Sequence, residues 1–150
     1  MLNSGLVAFI HHLAAFAIVT AVAVEWISFR PDVSVDVARR ILRADQVYGM
    51  AAGVVLAVGI LRVFFFEKGA QFYVHNAAFA GKMILFAVVA VLSIYPTVVF
   101  ARWRAGVRAG RAPQMDAAQA RRIGLVLRIE LTGLAGVILC AALMAKGVGS

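Results

Sequence analysis

Two adjacent histidines, His11 and His12, interrupt an apolar run at residues 6–29, in which the other ionisable side chain is Glu25. A neutral imidazole can ligate a metal ion or haem iron, and it can transfer protons near neutral pH. Ionisable groups inside such an apolar segment are costly unless they face a protein interior or water. We therefore interpret the histidine pair as part of a functional site. Helical periodicity places His11 and Glu25 on one face, so His11 is predicted to face the protein interior.

The element that positions this pair is a predicted helix of about 36 Å, enough to cross a hydrocarbon core of about 30 Å. The first ten residues hold no Lys or Arg, so we expect an uncleaved spanning helix rather than a signal peptide. Three further apolar segments follow, and the four predicted helices are about residues 6–29, 47–66, 77–101 and 123–145. The sequence thus predicts an all-α integral membrane protein, a four-transmembrane-helix bundle in a single domain, 1–150. Gly49 and Gly53 have the small-xxx-small spacing that is typical of close helix packing in lipid.

Basic residues are distributed unequally between the two ends of the predicted helices. Ten arginines fall between helices 1 and 2 or between helices 3 and 4: Arg30, Arg39, Arg40, Arg43, Arg102, Arg104, Arg108, Arg111, Arg121 and Arg122. The opposite side has Lys68 and Lys146. Because positive charge is retained in the cytoplasm, both termini are predicted to lie on the non-cytoplasmic side. We expect the net charge of +8 to meet anionic headgroups of the lipid bilayer, and we expect no nucleic acid partner.

Alternating helix direction sorts the remaining ionisable residues into two layers. The predicted cytoplasmic layer consists of Glu25, Asp45, Arg128 and Glu130. Opposite charges on different helices can pair there, which removes most of the cost of burying them. This layer is therefore interpreted mainly as structural, and a proton path is the alternative.

The predicted outer layer consists of His11, His12, Arg62, His75 and Lys82. Buried cations favour an anionic ligand, and a porphyrin combines propionates with an apolar body, so we predict haem b or another porphyrin as cofactor. His11 or His12 is the expected axial ligand, with His75 or no protein group on the other side. Lys82 and Arg62 are expected to bind propionates or to transfer protons, although an arginine near a helix end can also snorkel. Covalent haem is excluded because the sequence has no CxxCH motif.

Five segments carry a family resemblance: residues 11–13, 43–49, 59–62, 72–82 and 93–97. Over about residues 8–104 the chain resembles a group of bacterial predicted inner-membrane proteins that is known as domain of unknown function 2214. The resemblance implies a multi-pass location in the bacterial inner membrane and supplies no activity.

More distantly, the sequence is similar to the HemJ-type protoporphyrinogen oxidases and the copper-resistance D-like membrane proteins. A helix-1 histidine and a helix-3 lysine are the important positions in the HemJ type, and His11 or His12, together with Lys82, match them. The resemblance implies a haem-dependent oxidoreductase that oxidises a porphyrinogen and passes electrons to a quinone or another membrane acceptor. The adjacent histidines depart from the HemJ pattern. This departure concerns the implied activity more than the implied haem binding.

Two other functions fit the same residues. In the first, both layers belong to a small proton-coupled transporter, and because four helices make a thin pathway, this interpretation predicts a homodimer or larger oligomer. In the second, copper is bound by His11, His12, His75 and Met83, since imidazole and thioether ligands suit that metal. Cys140 lies in the last apolar segment and is predicted to serve packing.

Overall fold

The computed structural model describes residues 2–62, 64 and 77–146. It contains four α-helices, which we number α1 (Leu2–Ser28), α2 (Val35–Leu61), α3 (Ala77–Arg108) and α4 (Ala117–Ala145). Each of them is long and apolar enough to cross a membrane. The described residues contain no strand. The predicted all-α bundle of four spanning helices is confirmed.

Capping residues explain why α2 and α4 begin earlier than predicted. Ser34 precedes α2, and its Oγ accepts a hydrogen bond from the backbone N–H of Val37 at 3.3 Å. Asp116 does the same for α4, accepting from the N–H of Gln119 at 2.6 Å. Each cap satisfies a backbone donor that the first helical turn leaves open, so the helix continues through polar residues outside the apolar run. At its other end α2 closes at Leu61, and residues 65 and 66 of the predicted span lie outside the described residues.

The helices lie around a square in chain order, with α1 beside α2, α2 beside α3, α3 beside α4, and α4 beside α1. The contacts are most extensive within α1/α2 and within α3/α4. The molecule therefore consists of two antiparallel hairpins that meet along a seam between α1 and α4 and between α2 and α3.

Glycines allow the close approach of α3 and α4. A Cβ atom placed on Gly133 would lie 2.5 Å from Cγ2 of Val89, and one on Gly136 would lie 3.0 Å from Cδ1 of Leu85. Small residues allow such contact in lipid, where burial from water no longer drives helix association. Gly49 and Gly53 do not serve this purpose within the chain, because a Cβ at either position would meet nothing within 4 Å. The prediction that this pair packs against another helix is therefore wrong for the single chain.

The buried core occupies only one half of the bundle. All of its residues fall within 14–33, 38–51, 89–107 and 120–134. We call this the connector half, because it includes the α1–α2 and α3–α4 connectors. We call the remainder, which carries both ends of the described chain, the terminal half; its described side chains are half-buried or exposed. The helices are thus packed together at one end and leave space between them at the other.

Candidate functional site

A cavity of about 530 Å³ lies mainly in the terminal half, reaches residues 15–19 and 134 of the connector half, and is lined by side chains from all four helices. Its described lining is apolar apart from four ionisable groups: His11, His12, Arg62 and Lys82. The volume falls within the range of about 300–1,000 Å³ that is usual for small-molecule sites. The structure therefore brings together four of the five residues of the predicted outer layer. The fifth, His75, lies outside the described residues, as do Glu67 and Lys68 of the same connector.

The two imidazoles occupy different environments on α1. Their ring centroids are 6.0 Å apart and the rings are nearly perpendicular, at 84°. His11 is half-buried and faces α2, where a Cβ added to Gly59 would lie 3.4 Å from its Cε1. His12 is exposed, and its Nδ1 lies 2.7 Å from the carbonyl oxygen of Ala8. With the proton on Nδ1, His12 donates this bond and keeps a lone pair on Nε2 for a metal.

The two cations lie closer to the ends of their own helices than the imidazoles do. Arg62 follows the last residue of α2, whereas Lys82 lies five residues after the first residue of α3, or about 8 Å along its axis. His12 is ten residues, or about 15 Å, from the start of α1. The Lys82 ammonium also stands 4.9 Å from the ring centroid of Phe79, within the range of a cation–π contact. The cavity thus combines cations near the ends of α2 and α3 with imidazoles further along α1.

A second polar region lies in the connector half. It consists of three buried carboxyl side chains from three helices: Glu25 of α1, Asp45 of α2 and Glu130 of α4, which are 3%, 5% and 1% exposed. We call these three residues the acid cluster. Helix α3 supplies two partners to Asp45: Thr97 Oγ1 donates a hydrogen bond of 2.6 Å, and Arg104 Nη2 lies at 3.7 Å.

The two glutamates of this cluster differ from Asp45 in their contacts. Oε1 of Glu25 and Oε1 of Glu130 are both buried, and neither has a hydrogen-bond partner among the described residues. Burying a charged carboxylate without a partner is costly, so the cluster is a place where a proton can be held.

The sequence of the whole chain matches one family profile, described as "Predicted membrane protein (DUF2214)", over residues 3–149. The chain belongs to this family. The match includes all four helices and both polar regions, and the family description gives a membrane location without an activity. No curated protein and no solved structure matches the chain. The similarity to HemJ-type oxidases and copper-resistance D-like proteins therefore stays a prediction.

Sequence reasoning misassigned the cation of the connector half. Arg128 was expected to pair with the acids, but it lies exposed on α4, where its carbonyl accepts a hydrogen bond of 2.9 Å from Thr132. Arg104 approaches Asp45 instead, because α3 continues to Arg108 rather than ending at about residue 101. The spacing of seven residues between Thr97 and Arg104, two helical turns, is the signal that could have identified it.

Tyr48 is a member of the connector half that sequence reasoning did not single out. It is 9% exposed, and its side chain contacts Ser93. Its spacing from Asp45, three residues on α2, places both on one helical face. Tyr48 therefore adds a hydroxyl to the polar groups around the three acids.

Proposed function

We propose that this protein binds haem b or another porphyrin, without a covalent bond, in the cavity of the terminal half. The observation that carries the proposal is the composition of that cavity: an apolar lining, two imidazoles and two cations, from all four helices. When bound, a haem supplies one-electron chemistry that no side chain of the cavity can provide. The chain itself supplies ligation, orientation and shielding from water.

The positions of the cations and of the aromatic side chains are consistent with a bound porphyrin. Arg62 and Lys82 line the cavity near the ends of α2 and α3, where they would bind the propionates. Phenylalanines of α1 and α3, together with one beyond the end of α2, would contact the apolar macrocycle: Phe16, Phe79, Phe86 and Phe64. Arg62 and Lys82 would thus hold the propionates, and a histidine of α1 would hold the iron.

Among the two candidate axial ligands, His12 is the better oriented. Ligating histidines usually donate the other ring N–H to a carboxylate or a backbone carbonyl, which fixes the ring and its tautomer. His12 has such a contact with Ala8, at 2.7 Å. An exposed imidazole at this depth would otherwise face hydrocarbon, and a ligand over the cavity would cover it. His11, against Gly59, would then lie next to the bound group and remains the alternative ligand.

A redox activity within the membrane follows from this site. We propose that the bound haem serves an oxidoreductase whose substrate is a porphyrinogen or similar apolar reductant, with a quinone or another membrane electron acceptor. Several lining side chains are more than half exposed, among them Phe16 at 67%, Phe64 at 65% and Ile138 at 51%. This exposure supports entry of both partners from the lipid phase.

The test is a visible spectrum of the protein purified from haem-replete cells, oxidised and then reduced with dithionite, with pigment quantified per chain. We expect a Soret band whose intensity corresponds to one haem per chain, and sharp visible bands after reduction. His11→Ala/His12→Ala should abolish them, and the two single variants should identify the ligand.

Leu13→Ala is the matched control, since Leu13 adjoins the pair, is 57% exposed and does not line the cavity. A colourless wild-type protein, or a full Soret band in the double histidine variant, would refute haem ligation by this pair.

The acid cluster favours a second candidate, a small oligomeric proton-coupled transporter. Glu25 lies on the histidine face of α1, below the cavity, and Glu130 is buried with an unsatisfied Oε1. Proton flux into liposomes should then fall in Glu25→Gln and in Glu130→Gln, whereas exposed Asp36→Asn should have no effect. A monomer in both detergent and lipid would count against this function. Copper ranks last, because the described residues contain no group of three or more His, Cys, Asp or Glu side chains that could hold a metal ion.

A further inference from the structure

A second cavity, of about 750 Å³, lies at the connector end of the bundle, away from the histidines. Its walls come from the last turns of α3, the α3–α4 connector and the first turn of α4. The lining includes two arginines, Arg102 and Arg111, and two primary amides, Gln114 and Gln119. It also includes the indole of Trp103. This cavity plays no part in the function proposed above.

The end of α3 has a geometry that builds one wall of this cavity. Gly110 has a φ of +73°, and its N–H donates to the carbonyl of Val107 at 3.1 Å. The next N–H, of Arg111, donates to the carbonyl of Gly106 at 2.8 Å. This pair of bonds around a left-handed glycine is the Schellman motif. It reverses the chain, so that Arg111 lies beside the turn of α3 that contains Gly106.

Two further contacts fix the rest of the cavity. Asp116 accepts the N–H of Gln119 at 2.6 Å, which sets the start of α4 and the position of the Gln119 side chain. Trp103 is 8% exposed and packs on Phe100, with ring centroids 4.8 Å apart. The cavity is thus held by hydrogen bonds at both ends of the connector and by a packed indole.

We propose that this cavity binds the phosphate headgroup of an anionic phospholipid. Guanidinium groups bind phosphate oxygens through paired N–H donors, and Arg102 and Arg111 both line the cavity. The described lining contains no Asp or Glu. The two glutamines offer donors and acceptors for the hydroxyls or ester oxygens of a headgroup.

The position of the cavity selects a lipid over a soluble phosphate compound. It adjoins the end of α3, a helix that can span a membrane, and Val99 and Trp103 extend its lining toward the apolar part of that helix. Tryptophan is typical of the headgroup level, and basic pockets between spanning helices bind anionic headgroups. The acyl chains would then continue along the exposed apolar surface of the bundle.

The experiment uses Trp103 as the reporter, in a Trp26→Phe background, because these two are the tryptophans of the chain. The protein is reconstituted in phosphatidylcholine vesicles with increasing fractions of brominated phosphatidylglycerol or, separately, of brominated phosphatidylcholine. We expect Trp103 to be quenched at a lower mole fraction of the anionic lipid. Arg102→Gln/Arg111→Gln should raise the half-quenching mole fraction about fivefold for each arginine removed.

Arg121→Gln/Arg122→Gln is the matched control, since it removes the same charge from exposed residues of α4 that do not line the cavity. Arg102→Lys/Arg111→Lys keeps the positive charge, so it should retain most of the preference for the anionic lipid. It therefore separates loss of charge from misfolding as the cause of the effect in the Gln variant. Equal quenching by the two lipids, or equal effects of the two Gln double variants, would overturn the proposal. Complete relief of quenching by inorganic phosphate would overturn the lipid assignment in favour of a soluble phosphate ligand.

Discussion

The connector half and the terminal half are built from the same four helices but differ in how closely these helices pack. In the connector half the helices pack closely, and three acids are buried at 5% exposure or less. In the terminal half the same helices leave a cavity of about 530 Å³. Close packing at one end is therefore sufficient to align the four helices, and the other end remains open for a ligand.

The two halves also differ in what stabilises them. Burial from water contributes little between helices in lipid, so close van der Waals contact and interhelical hydrogen bonds hold the bundle. Both are found in the connector half and its border: Gly133 against Val89, and Thr97 bonded to Asp45. Substitutions should therefore affect the free energy of unfolding in the connector half and ligand binding in the terminal half.

The largest effect is expected for Gly133→Leu. Even a Cβ atom at this position would lie 2.5 Å from Val89, so a leucine must push α3 and α4 apart. We expect a loss of about 3 kcal/mol in the free energy of unfolding, measured by denaturant titration in detergent. Gly53→Leu is the control, because a Cβ at Gly53 meets nothing within 4 Å. Similar losses in both variants would show that the loss in Gly133→Leu does not come from the contact between α3 and α4.

A smaller loss is expected for Asp45→Ala. It leaves the Thr97 hydroxyl and the Arg104 guanidinium without their shared acceptor in the connector half, at a cost of about 2 kcal/mol. Asp36→Ala on the same helix breaks another aspartate–arginine pair, with Arg39 at 3.0 Å, but both partners are largely exposed. That variant should show no measurable change. If the two aspartate variants unfolded alike, the buried contacts of Asp45 would not contribute to stability.

The smallest change in stability is expected for Gly59→Phe, in the terminal half. A Cβ at Gly59 would contact the His11 ring at 3.4 Å, so a phenylalanine would project into the cavity. We expect the free energy of unfolding of the ligand-free protein to change by less than about 1 kcal/mol, because space is available. Pigment per chain should fall at least tenfold. Gly53→Phe, on the open face of α2, should keep its pigment, and equal pigment in both variants would contradict the assigned cavity.

The sequence predicted the number and type of elements because hydropathy alone separates four spanning segments from their connectors. Hydropathy alone places the starts of α2 and α4 too late, since residues 35–46 and 117–122 are too polar to join an apolar run. Ser34 and Asp116 determine those starts through single hydrogen bonds. Helix direction was sufficient to group His11 and His12 with the cations at the other helix ends, because alternating helices bring those ends together.

Packing partners could not be predicted from spacing alone. Gly49 and Gly53 have the spacing of a helix contact, yet the real contacts are made by Gly133 and Gly136. A small residue permits close approach only when a neighbouring helix faces it, and the sequence does not specify which faces meet. The same limit concealed Arg104, whose role depends on how far α3 continues beyond the apolar segment.

The arrangement in two hairpins has a consequence for biogenesis. The partners of Asp45 are on α3, so the first hairpin enters the bilayer before its acid can meet Thr97 or Arg104. Helices insert first and associate afterwards, and an acid facing lipid in the meantime is costly. A half-made chain therefore differs from a finished one by a carboxyl group that lacks its partners. The second hairpin thus completes the surroundings of this acid as well as the bundle.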